Sequence, residues 1–196
     1  MLCGAVAACA TPSIITRSIS SDNSALAFRF CGGAGCGYPK TIRFTQGEWA
    51  QIVAPLEAPA SSSSEEREGL AAVVGRFETV AGAKTGAATD LGGTLFNGSG
   101  AGQLDCFSEA SNTSNLLGLL QRRGVLLFHR VEEPAMRGFL FGTPAFAAHS
   151  TAVVREKETG EPYAIDSWFF DNGHEAAVVE LGRWKWGWSP DGAATF

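Results

Sequence analysis

The chain has 196 residues, 45% of them hydrophobic and 18% charged, with a formal net charge of -5 and a sequence pI near 5.2. That balance supports one ordinary buried core and excludes the fibrous and globally disordered classes. The acidic excess, with no basic cluster larger than Arg122-Arg123, argues against nucleic acid or anionic surfaces as partners, and no run reaches the roughly 18 apolar residues of a transmembrane span.

Met1 to Ala10, MLCGAVAACA, contains Val6-Ala7-Ala8-Cys9, which resembles the lipobox of bacterial lipoproteins. The resemblance implies lipidation at Cys9, a lipid anchor and a periplasmic or envelope location. The basic and apolar regions of a secretory signal are truncated here, so a cytoplasmic location follows if the match is fortuitous. Residues 11–24 are rich in Ser and Thr and read as a tether, leaving residues 25–196 as a single domain.

Residues 25–30, ALAFRF, and 40–45, KTIRFT, alternate as strands and flank CGGAGCGYP, predicting a hairpin. Cys31 and Cys36 close its Gly-rich loop, which predicts a disulfide in an oxidising compartment and free thiols in the cytosol. A zinc site would need further ligands at a spacing the chain lacks, so neither metal nor cofactor is expected. Gly32, Gly33, Gly35 and Gly37 precede a strand rather than a helix, and Gly82-Ala83-Lys84-Thr85 breaks the order of a phosphate-cradling loop. Residues 54–68 carry prolines, four serines and a charge run and read as a surface loop. Residues 65–78 read as a helix and residues 79–104 as a long Gly- and Ala-rich loop that shapes a cleft.

The stretch Gly98-Ser99-Gly100-Ala101-Gly102 leads into residues 105–122, where Cys106, Ala110, Thr113, Leu117 and Leu120 recur at helical spacing. Asp105 suits the N-cap, Glu109 the first turn, and Arg122, Arg123 and Gly124 the end. Cys106 then meets the positive end of the helix dipole, which favours thiolate, while the Asp105 carboxylate opposes it.

Residues 146–168 read as strand, turn, strand. An even loop puts His149 and Asp166 on one face, and a four-residue loop from Glu156 to Thr159 sets them directly opposite, where the carboxylate fixes the imidazole tautomer and the other ring nitrogen faces the thiol. His129 is a rival base, and His174 sits in a solvated turn. Trp184, Trp186 and Trp188 read as one strand face that packs the sheet.

A helix-capping Asp-Cys, a strand with Ala-His and a strand ending Ile-Asp-Ser-Trp resemble the transglutaminase-like branch of the papain-like superfamily, over roughly residues 70 to 170. Phe107-Ser108-Glu109 depart from the charged pairs common after that cysteine. The resemblance implies an α+β fold with a papain-like core, the cysteine helix packed on an antiparallel sheet bearing the histidine and aspartate. It further implies Cys106 as nucleophile, His149 as base and Asp166 as orienting group, acting on a peptide or protein amide. Hydrolysis is favoured over amine transfer because nothing marks an amine site. The Cys106 N–H is the first oxyanion donor, with Gln103 and Trp49 as candidates for the second. Two alternatives remain: a cell-wall amidase of NlpC/P60 or CHAP type, and a non-catalytic envelope domain that binds a peptide in the same cleft.

Overall fold

The computed structural model describes residues 26–94, 100–138 and 148–190. The Cys9 lipobox, the 1–24 tether and positions 98 and 99 of the Gly-rich stretch lie outside the described residues.

Strands β1 (Ala27–Phe30) and β2 (Lys40–Arg43) pair antiparallel as a hairpin, with Ala27 opposite Arg43. Helix α1 (Gln46–Val53) starts at a capping box in which the Thr45 hydroxyl accepts from the Glu48 N–H and the Glu48 carboxylate accepts from the Thr45 N–H. Helix α2 (Ser63–Thr85) starts on the Ser62 hydroxyl and stops at Gly86, whose φ of 94° ends the helix.

This helix runs seven residues past the predicted end at residue 78, through a segment read as loop. The small residues there serve close packing. A Cβ on Gly82 would lie 3.0 Å from Ala88, and one on Gly75 would lie 2.7 Å from the His174 carbonyl oxygen. The helical pitch persists because Ala81 and Thr85 keep the buried face.

Helix α3 (Cys106–Arg122) precedes an antiparallel sheet of β3 (His129–Arg137), β4 (His149–Glu156), β5 (Pro162–Asp166) and β6 (Ala177–Glu180), in that order. The architecture is α+β. Leu116, Leu117 and Leu120 of α3 share the main core with Phe77 of α2 and with Ala152, Val154 and Ile165 on one face of the sheet. Ala164 and Val179 on the other face pack with Trp184.

Trp184 is not on a strand. Residues Leu181–Lys185 form a short helix, α4, which buries Trp184 against the sheet and leaves Trp186 91% exposed. Alternation misleads here because the segment turns as a helix, in which residues two apart do not share a face.

His129 is fully buried at the start of β3, its Nδ1 2.9 Å from Glu66 Oε1. The Glu66 carboxylate also accepts the Leu127, Phe128 and His129 N–H groups, so the pair joins α2 to the sheet and His129 is no base for Cys106. His174 is exposed and stacks on Phe170. Among the described residues, no helix is long and apolar enough to cross a membrane.

Candidate active site

Cys106 is the first residue of α3 and Asp105 its N-cap. Asp105 Oδ1 accepts the Ser108 N–H at 2.9 Å, and Oδ2 accepts the Gly35 N–H at 2.7 Å. Gly35 belongs to the loop closed by a disulfide between Cys31 and Cys36. The Cys31 N–H donates to Asn112 Oδ1 at 2.7 Å and Asn112 Nδ2 returns a bond to the Cys31 carbonyl at 3.0 Å. The Cys36 N–H donates to Ser108 Oγ, which donates to the Gly33 carbonyl at 2.6 Å.

Asp105, Ser108 and Asn112 thus present one polar helix face that grips the disulfide loop. Sequence reading missed Ser108 and Asn112, although their spacing of three and seven from Asp105 is the available signal. Removing the crosslink in Cys31→Ser/Cys36→Ser should lower unfolding stability by about 2 kcal/mol, the chain-entropy value for so short a loop. Urea denaturation with unchanged m-value checks this.

The β4–β5 register differs from the predicted one. Ala152 pairs with Ile165 and Arg155 with Pro162, and the Glu156 N–H donates to the Glu161 carbonyl, so the turn is Lys157 to Gly160. His149 therefore lies two residues from the position directly opposite Asp166. A two-residue offset keeps both on one face, and the imidazole spans the diagonal. His149 Nε2 is 2.7 Å from Asp166 Oδ2.

The same oxygen accepts the Trp184 Nε1–H at 2.6 Å. An oxygen that already accepts from indole is an acceptor toward imidazole too, which assigns the hydrogen of His149 to Nε2 and leaves Nδ1 with a bare lone pair. Nδ1 is buried and has no hydrogen-bond partner among the described residues. The rings of Trp168, Phe169 and Trp184 surround the imidazole at centroid distances of 4.6, 5.2 and 5.4 Å.

Arg137, opposite His149 on β3, stacks on Trp184 at 4.5 Å and donates to the Trp184 and Trp188 carbonyls, fixing α4 against this cage. Nothing in the sequence marks Arg137, because its partners are main-chain carbonyls about fifty positions away.

The Cys106 thiol, 9% exposed, donates to the Ala148 carbonyl at 3.7 Å, and the Ser150 N–H faces its sulfur. The thiol is thus bracketed by the neighbours of His149. Its contact with the imidazole, expected from the sequence, is not made in this conformation. Burial pushes the thiol pKa up from its ordinary value of 9.0; Asp105 and Asp166 push the same way, and the Ser150 N–H opposes them. The resting group is a thiol, because the loss of hydration outweighs the helix terminus.

Neither proposed second oxyanion donor is in place. Trp49 on α1 lies beneath the Arg123 guanidinium at 5.4 Å, beyond the C-terminal end of α3. The 17 residues of that helix separate it from Cys106 by about 25 Å. Gln103 Nε2 donates to the Thr89 carbonyl at 2.8 Å and its Oε1 accepts the Leu91 N–H, so its amide holds a turn instead.

Behind the pair lie three buried carboxylates, Glu78 of α2, Asp90, and Glu109, one turn beyond Cys106, of which sequence reading named only Glu109, as a first-turn charge. Ser167, next to Asp166, donates to Glu109 Oε2 at 2.8 Å. The Gly173 N–H donates to Glu78 Oε2 and the Leu104 N–H to Asp90 Oδ1. Burial raises the pKa of all three, that of Glu78 to about 7, and Glu78 and Asp90 push Glu109 further up. Glu109 at the first turn of α3 fits the dipole rule, but burial beside two other carboxylates disfavours its charge there.

The arrangement holds a thiol at a helix terminus between the neighbours of an imidazole that is bonded to a carboxylate. No protein-family model matches this chain, and no curated protein or solved structure matches it either.

Proposed function

We propose that the protein is a thiol-dependent acyl-transfer enzyme of the transglutaminase-like, papain-like kind, a cysteine peptidase or amidase of the bacterial envelope that hydrolyses amide bonds. The observation that carries this reading is His149: Nε2 is engaged by Asp166 while Nδ1 keeps a buried, unpartnered lone pair between the two residues that bracket the Cys106 thiol.

Rotation of the thiol from the Ala148 carbonyl toward Nδ1 supplies that acceptor. His149 takes the proton as Sγ attacks the amide carbonyl, and Asp166 stabilises the imidazolium. Collapse of the tetrahedral intermediate breaks the C–N bond, with the proton passing from Nδ1 to the leaving amine, and leaves a thioester on Cys106. Water, deprotonated by His149, then attacks the thioester; the acid departs and the proton returns to the sulfur. The Cys106 N–H, one of the unpaired donors of a helix's first turn, serves the developing oxyanion.

A second reading, a non-catalytic envelope domain that binds a peptide here, is favoured by the buried, protonated thiol. Alkylation by iodoacetamide with intact-mass readout separates the two. In the enzyme, His149→Ala slows alkylation of Cys106 about tenfold at pH 7, and the difference closes above pH 9 as the thiol ionises by itself. Equal rates in the two proteins at every pH favour the binding domain.

A further inference from the structure

A cavity of about 140 Å³ lies between α3 and the β3–β4 pair, walled by Phe107, Ala110, Ser114, Pro134, Met136 and Ser150. We propose that it is the subsite for an aromatic, phenolic side chain on the acyl residue of the substrate, with Ser114 as the partner of the phenol. The proposal rests on the reading of Cys106 as the nucleophile and names the substrate class that this nucleophile takes.

The size fits one aromatic ring, since an apolar cavity of about 150 Å³ holds a benzene molecule. Phe107 and Met136, two of the large apolar side chains that stand exposed, lie at this cavity and gain cover from a bound ring.

The polar end is specified by Ser114. Three hydroxyls elsewhere on the helices return a bond to the carbonyl four residues back, Thr79 to Gly75, Thr85 to Ala81 and Ser111 to Phe107, and Ser108 donates to the Gly33 carbonyl. Ser114 does not. It is 2% exposed and its Oγ has no partner among the described residues. A buried hydroxyl without a bond is destabilised, and a ligand hydroxyl would relieve it. The other amide in the wall, Asn115, already donates to the Arg29 carbonyl. Glu133 at the rim disfavours an anionic side chain.

The distance to the chemistry also fits. Ser150 both lines the cavity and turns its N–H toward the Cys106 sulfur, and Phe107 and Ala110 are the first wall residues after Cys106 on the same helix. Ser114 lies eight residues along α3 from Cys106, about 12 Å. A tyrosyl group joined to Sγ is long enough to approach that hydroxyl, whereas alanyl and leucyl groups end short of it.

The test uses the p-nitrophenyl esters of N-acetyltyrosine, N-acetylphenylalanine, N-acetylleucine and N-acetylalanine, with intact mass reporting the thioester on Cys106. In this step an Sγ–C bond forms, the C–O bond to p-nitrophenolate breaks and the thiol proton passes to His149. We expect tyrosine to acylate about tenfold faster than phenylalanine, and both faster than alanine. Ser114→Ala should reduce the tyrosine-to-phenylalanine ratio to about one, and Ala110→Leu, which fills the cavity, should erase the preference for either ring. Equal rates for all four esters, or a tyrosine preference that survives both variants, overturn the subsite.

Binding of N-acetyltyrosinamide to Cys106→Ala, followed by NMR shifts at the Ser114 amide, separates this failure from failure of the enzyme reading. Tyrosinamide that binds without any acylation keeps the subsite and removes the enzyme. Acylation without any Ser114 shift keeps the enzyme and removes the subsite.

Discussion

Asp166→Ala should slow acylation of Cys106 by p-nitrophenyl acetate at pH 7 by about 10³-fold, within the range of a lost general base, whereas Asp166→Asn should slow it only about tenfold. Alanine leaves two buried donors, His149 Nε2–H and Trp184 Nε1–H, with no acceptor and frees the ring to turn its lone pair away from the thiol. Asparagine ordinarily defeats a triad by presenting its amide NH₂ to the imidazole and selecting the wrong tautomer. Here the indole N–H, 2.6 Å from the shared oxygen position, opposes that orientation, because an NH₂ there would face two donors. The amide oxygen therefore stays toward His149 and only the charge is lost. The double variant Asp166→Asn/Trp184→Phe removes this restraint and should fall to the level of alanine. Thermal melts of each variant separate slow acylation from unfolding. An asparagine variant as slow as alanine, in a folded protein, would show that charge rather than tautomer governs the step.

The stability of the fold should decline as pH rises from about 4.5 through 7. Glu78, with an ordinary pKa of 4.5, titrates at about 7 in the folded protein because burial disfavours its charge. Across that interval the folded state holds a proton that the unfolded chain has released, so unfolding becomes easier as pH rises. The interval corresponds to about 3 kcal/mol from Glu78. Asp90 and Glu109 add to the decline in the same direction. The groups that face one another are Glu78 from α2, Asp90 and Asp171 from the adjoining loops, and Glu109 from α3, with the Ser167 hydroxyl and the Gly173 N–H between them. Glu78→Gln keeps the shape and an acceptor for Gly173 without the charge. Urea unfolding at pH 5 and pH 8 should show a markedly smaller difference for the variant than for the wild type. An equal slope in both proteins would place the ionisation elsewhere. Because Ser167, the residue beside Asp166, is bonded to Glu109, loosening of this cluster above pH 7 should reach the Asp166 carboxylate first.

Much of the frame was legible from residue order alone. The periodicity after Asp105 marked α3, with Cys106 at its first position, because cap, amphipathic face and cationic end are local signals that point the same way. The strand-turn-strand pattern placed His149 and Asp166 on a common face because side-chain alternation has a period of two, and an error of two residues in register leaves that face unchanged. The hairpin around Cys31 and Cys36 was legible for the same reason.

Tertiary structure decided what depends on residues distant in sequence. The end of α2 followed from how closely Gly82 lets Ala88 approach, in a segment that composition renders as loop. Trp49 and Gln103 had suitable donors, yet one lies beyond the far end of α3 and the other is bonded to its own turn. The thiol pKa rose because burial outweighed the helix terminus, and burial belongs to the packed molecule. The His149 tautomer rests on an indole eighteen residues past Asp166, and the shape of the cavity beside Cys106 on three elements meeting around Ser114. Short-range chemistry set which groups were present and which way they faced; desolvation and long-range contact set their protonation, their partners and the space left for a substrate.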